Sequence, residues 1–181
     1  IRGMKDTMNV SAFVDIPAVI GYGPHYNVVG RLPGSVDPDK TIIISAHYDT
    51  VMTSGFCDNG AGTAGVIELA RVFSETARNG AYHPESTLVF VVFAGEELGY
   101  VGSTNYARQH QAELNNIHAV INLDCIGNGV LDVSETAAAD GWDLDNLALK
   151  AASDLHVRSN LIEAGGSDQD TFRDPVATNA I

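Results

Sequence analysis

The first two thirds of the chain alternate between continuous apolar runs and amphipathic stretches. Apolar runs at 41–46, 88–93 and 119–123 lack the alternation of a half-exposed strand, so each predicts a strand buried on both faces of a sheet. Apolar residues between 63 and 77 recur at helical spacing and predict an amphipathic helix there. Strands that alternate with helices predict a mostly parallel sheet with helices on both faces.

Shorter signals predict the remaining elements. They are a β-hairpin from 8–16 and 26–32 at a sheet edge, turns at 33–34 and 37–40, a helix capped by Ser103 that reaches His110, a short strand at 130–133, a helix from Asp140 or Asp143 to Leu155, and a last helix capped by Ser167. No repeat or internal boundary is evident, so we expect a single domain over residues 1–181.

Composition and charge narrow the range of partners. The chain has 181 residues, of which 45% are hydrophobic and 18% charged, which is typical of a folded domain. Its formal net charge of -13 would be repelled by nucleic acid phosphates and by anionic lipid, and no apolar run is long enough to span a membrane. Neither nucleic acid nor a membrane is therefore an expected partner, whereas cations are.

Polar side chains follow each of the three buried strands. The candidates are His47 and Asp49, Glu96 and Glu97, and Asp124, together with Asp58 in a glycine-rich loop. Carboxyl ends of strands border the ligand crevice of an open α/β sheet, and so many carboxylates would repel one another without a divalent cation. Imidazole and carboxylate oxygen suit Zn²⁺, with Mn²⁺ or Co²⁺ also tolerated. Asp49 lies two residues after His47, on the same side, and can orient the imidazole.

Four motifs occur in the order found in the M28 family of zinc aminopeptidases, which the chain resembles from about Asn27 to its last residue. They are His47-Tyr48-Asp49-Thr50, Asp58-Asn59-Gly60-Ala61-Gly62, Glu96-Glu97-Leu98-Gly99-Tyr100-Val101-Gly102-Ser103 and Asn122-Leu123-Asp124. The resemblance implies a three-layer α/β/α sandwich with a mixed, mostly parallel central sheet. It also implies a cis peptide between Asp58 and Asn59, and a secreted or periplasmic protein, although the chain shows no signal-peptide pattern.

The resemblance further implies a role for each matching residue. A complete site would contain two zinc ions. His47 and Asp124 would bind one ion, Glu97 would bind the other, and Asp58 would bridge them. Glu96 would be the general base: it would take a proton from a zinc-bound water and then give it to the leaving amine. Asp49 would assist as the group that orients His47, and Ser167 could donate a hydrogen bond to Asp124. The substrate would be a peptide with a free amino terminus.

The sequence also departs from the family pattern. The family's last histidine ligand lies beyond the segment that residues 175–181 resemble, and Gln169 stands where a histidine or an aromatic residue is usual. An amino-terminal helical part is absent, and the chain begins at Ile1 without an initiator methionine. We therefore expect a catalytic domain truncated at both ends, with one or two zinc ions and weak or no activity.

Three alternatives stay open at this stage. A glutaminyl cyclase resembles this family but uses one zinc ion and intramolecular attack, and Asp58-Asn59-Gly60 is more similar to the two-metal peptidases. The M20 peptidases also carry a His-x-Asp-Thr-Val run like residues 47–51, but Gly102-Ser103 after the Glu-Glu pair argues against them. A non-catalytic relative would be expected to lose ligands, whereas this chain keeps every ligand that its length covers.

Overall fold

A computed structural model describes residues 23–134, 144–163 and 165–172 of the chain. The elements within these ranges are β1 (Val28–Leu32), β2 (Asp37–His47), α1 (Gly62–Arg78), β3 (Ser86–Phe93), α2 (Val101–Gln109), β4 (Ile117–Asn122), β5 (Leu131–Ser134), α3 (Leu144–Asp154) and β6 (Ser159–Ile162). Short 3-10 helices span Gln111–Asn116 and Asp168–Phe172, and a π-helical turn spans Phe56–Ala61. None of the helices described is long and apolar enough to cross a membrane.

Four strands form a mixed central sheet in the order β1-β3-β2-β4. β2 runs parallel to both of its neighbours, with Ile44 opposite Phe90 of β3 and Ile121 of β4. β1 is antiparallel to β3 and, in the described part of the chain, stands at the end of the central sheet, where residues 26–32 predict a strand. The prediction of a mixed, mostly parallel sheet is therefore confirmed.

Helices cover both faces of this sheet because consecutive residues of β2 point in opposite directions. Ile44 packs with Val66 of α1 in one apolar cluster. Ile43 packs with Tyr106 of α2 in a second cluster, where the rings of Phe93 and Tyr106 lie 5.8 Å apart. Each cluster excludes water from one face, and the result is the three-layer α/β/α arrangement that the sequence predicted.

The prediction that the third apolar run is buried on both faces is wrong. Within β4 only Ala119 is fully buried, and 44% of Ile121 is exposed. The physical reason is that β4 stands at the end of the central sheet in the described part of the chain. Beyond it, β5 and β6 pair in parallel as a separate two-stranded sheet, and a cavity of about 690 Å³ lies between β4, β5 and α3.

Two element boundaries also differ from the sequence prediction. Residues 37–40 form the start of β2 rather than a turn, because Asp37 pairs with Ser86 and an irregularity in register then precedes Thr41. The Thr87 hydroxyl donates to the Pro38 carbonyl at 2.7 Å and stabilises this irregular segment.

The second difference concerns the start of α2. The helix begins at Val101 rather than after Ser103, because the Tyr100 and Val101 amides already donate to carbonyls of the preceding turn. The Ser103 hydroxyl donates to the Tyr100 carbonyl at 3.2 Å and caps no amide. The predicted strand at 8–16, the helix start at Asp140 or Asp143 and the segment 175–181 lie outside the described residues.

Gly102 allows α2 to approach the carboxyl end of β3, and its substitution tests this packing. A Cβ atom there would clash with the Ala94 carbonyl and lie 2.7 Å from the Ala94 nitrogen. We expect Gly102→Ala to lower the free energy of unfolding by about 1–3 kcal/mol, measured by urea denaturation. Gly30→Ala is the control, because a Cβ there meets nothing within 4 Å. Equal stability of the two variants would contradict the proposed close packing.

Candidate metal centre

Three potential ligands converge at the carboxyl end of the central sheet. The His47 ring is 1% exposed, and its Nε2 atom lies 3.2 Å from Asp58 Oδ1 and 3.3 Å from Asp124 Oδ1. Ligand atoms of these three residues all lie within 4.8 Å of one another. One imidazole and two carboxylates are ligands that Zn²⁺ accepts, so the donor set fits the ion that the sequence predicted.

The register of the parallel strands brings two of these ligands together. Ser45 of β2 is opposite Asn122 of β4, so that His47 and Asp124, each two residues further on, leave the sheet side by side. The Ser45 hydroxyl donates to Asn122 Oδ1 at 2.8 Å and strengthens this pairing. Because His47 also pairs with Phe93 of β3, the Glu96 and Glu97 pair emerges at the same edge.

The third ligand comes from the π-helical turn between β2 and α1. The peptide bond between Asp58 and Asn59 is cis, as the family resemblance implies. The Asn59 side chain is completely buried, donates to the Leu123 carbonyl at 2.8 Å and accepts from the Gly62 amide at 3.0 Å. Asn59 therefore ties the turn to the residue that precedes Asp124, and it is a positioning residue to which the sequence prediction gave no role.

Asp49 contacts the site differently from the prediction. His47 Nδ1 hydrogen-bonds the backbone carbonyl of Asp49 at 3.1 Å, whereas the nearest carboxylate oxygen of Asp49 is 3.6 Å away. The Asp49 carboxylate instead accepts the backbone amides of Glu96 at 3.1 Å and Glu97 at 3.2 Å. Asp49 thus orients the imidazole through its main chain and fixes the Glu pair through its side chain.

Asp124 is oriented by a short relay of polar side chains. The Ser167 hydroxyl donates to Asp124 Oδ2 at 2.8 Å, which is the hydrogen bond that the resemblance suggested. The Asn122 amide donates to Ser167 Oγ at 2.9 Å and to Gln169 Oε1 at 3.1 Å. The relay occupies Oδ2 of Asp124 and leaves Oδ1 facing His47. Asn122 belongs to the motif Asn122-Leu123-Asp124, and the structure shows that its side chain orients Ser167.

The Glu96 and Glu97 carboxylates do not join the group of three. Glu96 Oε2 lies 4.0 Å from His47 Nε2, and its side chain is 13% exposed. Glu97 Oε1 accepts the Val51 amide at 3.2 Å. The structure therefore places both residues beside the centre, while the role of Glu97 as a ligand to a second zinc ion stays a prediction.

The electrostatics of the site favour a positive charge at its centre. Burial of the His47 ring lowers its pKa, but the hydrogen bond and charge of Asp124, with further carboxylates, outweigh burial and raise that pKa to about 9. Burial alone would raise the pKa of Asp124, but hydrogen bonds from His47 and Ser167 hold that pKa below its ordinary value. In the metal-free protein an imidazolium proton thus fills the position that a dication would occupy.

Glu96 differs from Asp124 in its protonation. Burial and the neighbouring carboxylates raise the pKa of Glu96 to about 7, although the charge of His47 acts in the opposite direction. A carboxyl group with a pKa near neutrality can both accept and return a proton. The two kinds of carboxylate in the site are therefore suited to different tasks, one to holding a cation and the other to proton transfer.

Comparison with known sequences supports a peptidase relationship. Residues 27–177 match the model of peptidase family M28. A probable zinc metalloprotease from Pyrenophora tritici-repentis is 38% identical over 110 residues, which are 56% of this chain and 24% of that protein. A glutamate carboxypeptidase 2 homolog from Caenorhabditis briggsae is 31% identical over 154 residues, which are 84% of this chain and 18% of that protein.

Solved structures give a consistent relationship. An aminopeptidase from Aneurinibacillus sp. strain AM-1 superposes with a TM-score of 0.67 at 28% identity, over 84% of this chain and 37% of that one. The zinc aminopeptidase BSAP from Bacillus subtilis gives a TM-score of 0.68 at 25% identity, over 82% and 37%. The chain thus spans well under half the length of these relatives. The match also decides against the M20 alternative, and the chain belongs to peptidase family M28.

Proposed function

We propose that this chain carries the catalytic centre of a zinc-dependent aminopeptidase, which removes the amino-terminal residue from peptides. The observation that carries the proposal is the convergence of His47, Asp58 and Asp124 around one point, with Glu96 beside them. The names of the relatives support it, because they include zinc metalloproteases and a zinc aminopeptidase. A solvated acidic cluster would not need a completely buried histidine at its centre.

In this proposal His47, Asp58 and Asp124 would hold a zinc ion, and Glu97 and Asp58 would contribute to holding a second one. Zinc, when bound, supplies Lewis-acid chemistry that activates water and polarises the scissile carbonyl. The hydrogen bonds from Ser167 to Asp124 and from His47 to the Asp49 carbonyl fix the ligand orientations in advance. The protein therefore provides a preorganised site rather than one assembled by the ion.

Glu96 performs the proton transfers in the proposed reaction. It accepts a proton from the attacking water as the new bond between oxygen and the carbonyl carbon forms. It then gives this proton to the leaving amine as the carbon–nitrogen bond breaks. Its backbone amide donates to the Asp49 carboxylate, which holds Glu96 in place beside the three ligands.

The charge of the site favours a free amino terminus over a free carboxyl terminus. Several carboxylates line the centre, and the whole chain has a formal net charge of -13. Such a field attracts a protonated α-amine and repels a carboxylate. For this reason we prefer an aminopeptidase to the carboxypeptidase activity in the name of the Caenorhabditis relative.

Substrates with different ends test the proposed function. We expect the full-length protein to hydrolyse leucine p-nitroanilide, to lose this activity with a chelator and to regain it with zinc. The N-acetylated substrate, which lacks the free amine, should be hydrolysed far more slowly. Equal rates on both substrates would contradict an aminopeptidase. Faster cyclisation of a glutaminyl peptide than hydrolysis of the anilide would instead favour the glutaminyl cyclase alternative.

Replacement of Glu96 tests its role in proton transfer. We expect Glu96→Gln to reduce kcat by about 10²–10⁴-fold while zinc content, measured by atomic absorption, stays unchanged. The matched control is Glu85→Gln, because Glu85 is an exposed glutamate that forms no salt bridge within the described residues. Activity that survives in Glu96→Gln would show that the base lies elsewhere.

The raised pKa of His47 predicts a pH dependence of zinc binding. A histidine ligand must be neutral, and His47 is protonated below a pKa of about 9, so zinc has to displace a proton. The apparent zinc affinity should therefore fall as pH falls below 9. At pH 8, calorimetry in buffers of different ionisation enthalpy should detect about one proton released per ion bound. Binding without proton release would contradict this account of His47.

A further inference from the structure

Asp168 is a completely buried carboxyl group for which the proposed reaction has no use. It begins the short helix Asp168–Phe172 and is 0% exposed. Among the described residues, neither of its carboxylate oxygens has a hydrogen-bond partner of good geometry. The Ser103 hydroxyl, which donates to the Tyr100 carbonyl at 3.2 Å, acts on Asp168 more weakly than burial does and lowers its pKa. Buried polar groups without partners are rare, so this one requires an explanation.

Asp168 lies close to the metal centre without joining its three converging ligands. The short helix that carries it packs against α2, β4 and β2, and the preceding residue Ser167 donates to Asp124 Oδ2. The charge of Asp168 raises the pKa of His47 and of Glu96. Among the described residues, ligand atoms of His47, Asp58 and Asp124 lie within 4.8 Å of one another, and Asp168 does not belong to this group. The carboxyl group therefore acts on the centre through space and through its neighbours, not as one of the three converging ligands.

Packing holds Asp168 in place where hydrogen bonds do not. The Phe172 ring at the end of the same helix lies 6.3 Å from the rings of Phe93 and Tyr106 in the core. The preceding residue, Ser167, donates to Asp124 Oδ2. The helix is thus anchored at both ends, and it keeps the carboxyl group buried near the site although its oxygens accept no hydrogen bond of good geometry from the described residues.

Such an arrangement costs stability in the metal-free protein, because a buried ionised group without a partner loses its hydration. Burial and the nearby carboxylates Asp124 and Asp49 oppose ionisation of Asp168. They outweigh the Ser103 hydroxyl and the His47 charge, which favour ionisation, and the pKa of Asp168 is raised to about 6. A dication at the centre would reverse this balance, because its field stabilises every negative charge around it. The carboxylate is unfavourable without the ion and favourable with it.

We propose that Asp168 is a positioning residue of the metal centre, whose buried negative charge close to the three ligands strengthens zinc binding without ligating the ion. This inference rests on the proposed function, because it needs zinc at those ligands. It adds to the site a residue that none of the sequence motifs assigned a role. It also accounts for the two carboxylate oxygens that lack partners.

Asp168→Asn tests the proposal, because it removes the charge and nearly preserves the shape. We expect zinc affinity, measured by competition with a chromogenic chelator on the full-length protein, to fall about 10- to 100-fold. The melting temperature of the metal-free variant should rise, because a buried charge that accepts no hydrogen bond of good geometry from the described residues has been removed. The absorption spectrum with Co²⁺ should keep the wild-type bands, because the ligands are the same. Asp170→Asn, on the same helix, is the matched control and should leave zinc affinity unchanged.

Each other outcome has a defined meaning. Unchanged zinc affinity in Asp168→Asn would overturn the inference, and so would altered Co²⁺ bands, which would make Asp168 a ligand. If Asp168→Asn does not fold, Asp168→Ala provides the same measurements. Failure of both neutral variants to fold would also overturn the inference, because it would show that the carboxylate stabilises the metal-free protein. If the wild-type protein itself binds no zinc, the proposed function fails first.

Discussion

The arrangement of carboxylates around the buried His47 imidazole is the constraint on which the rest of the site depends. Asp58 and Asp124 approach the same ring nitrogen at 3.2 and 3.3 Å, and without a positive charge between them they would repel each other. In the metal-free protein the ring proton supplies that charge, which is why the pKa of His47 is raised although the ring is buried. A zinc ion would satisfy the same need with twice the charge.

The fold fixes the positions of the His47 ring and of the carboxylates around it. Parallel register between β2 and β4 sets His47 beside Asp124, while Asn59 fastens the turn that delivers Asp58. The Ser167 hydroxyl donates to Asp124 Oδ2. The Asp49 carboxylate accepts the backbone amides of Glu96 and Glu97. Each of these hydrogen bonds restricts the conformation of the site before the metal binds, so less conformational entropy is lost on binding.

The sequence predicts the parts of the structure that have strong patterns. Continuous apolar runs locate β2 and β3, because strands buried between two layers require apolar residues on both faces. An apolar run also locates β4, although β4 is partly exposed, and a helical period locates α1. The short strand β6, at Ser159–Ile162, has no such pattern and was not predicted. The start of α2 was misplaced, because backbone bonds in the preceding turn, invisible in the sequence, begin the helix before Ser103.

The candidate site, like the fold, is only partly predictable from the sequence. The ligand-type residues stand in recognisable motifs, whereas the division of labour between the carbonyl and the carboxylate of Asp49 depends on angles that only coordinates supply. The central claim, that His47, Asp58 and Asp124 bind one ion, is tested most directly by anomalous diffraction at the zinc edge from zinc-soaked crystals. The account predicts a peak about 2.0–2.2 Å from a ligand atom of each residue. Zinc bound elsewhere, with these three side chains uncoordinated, would contradict it.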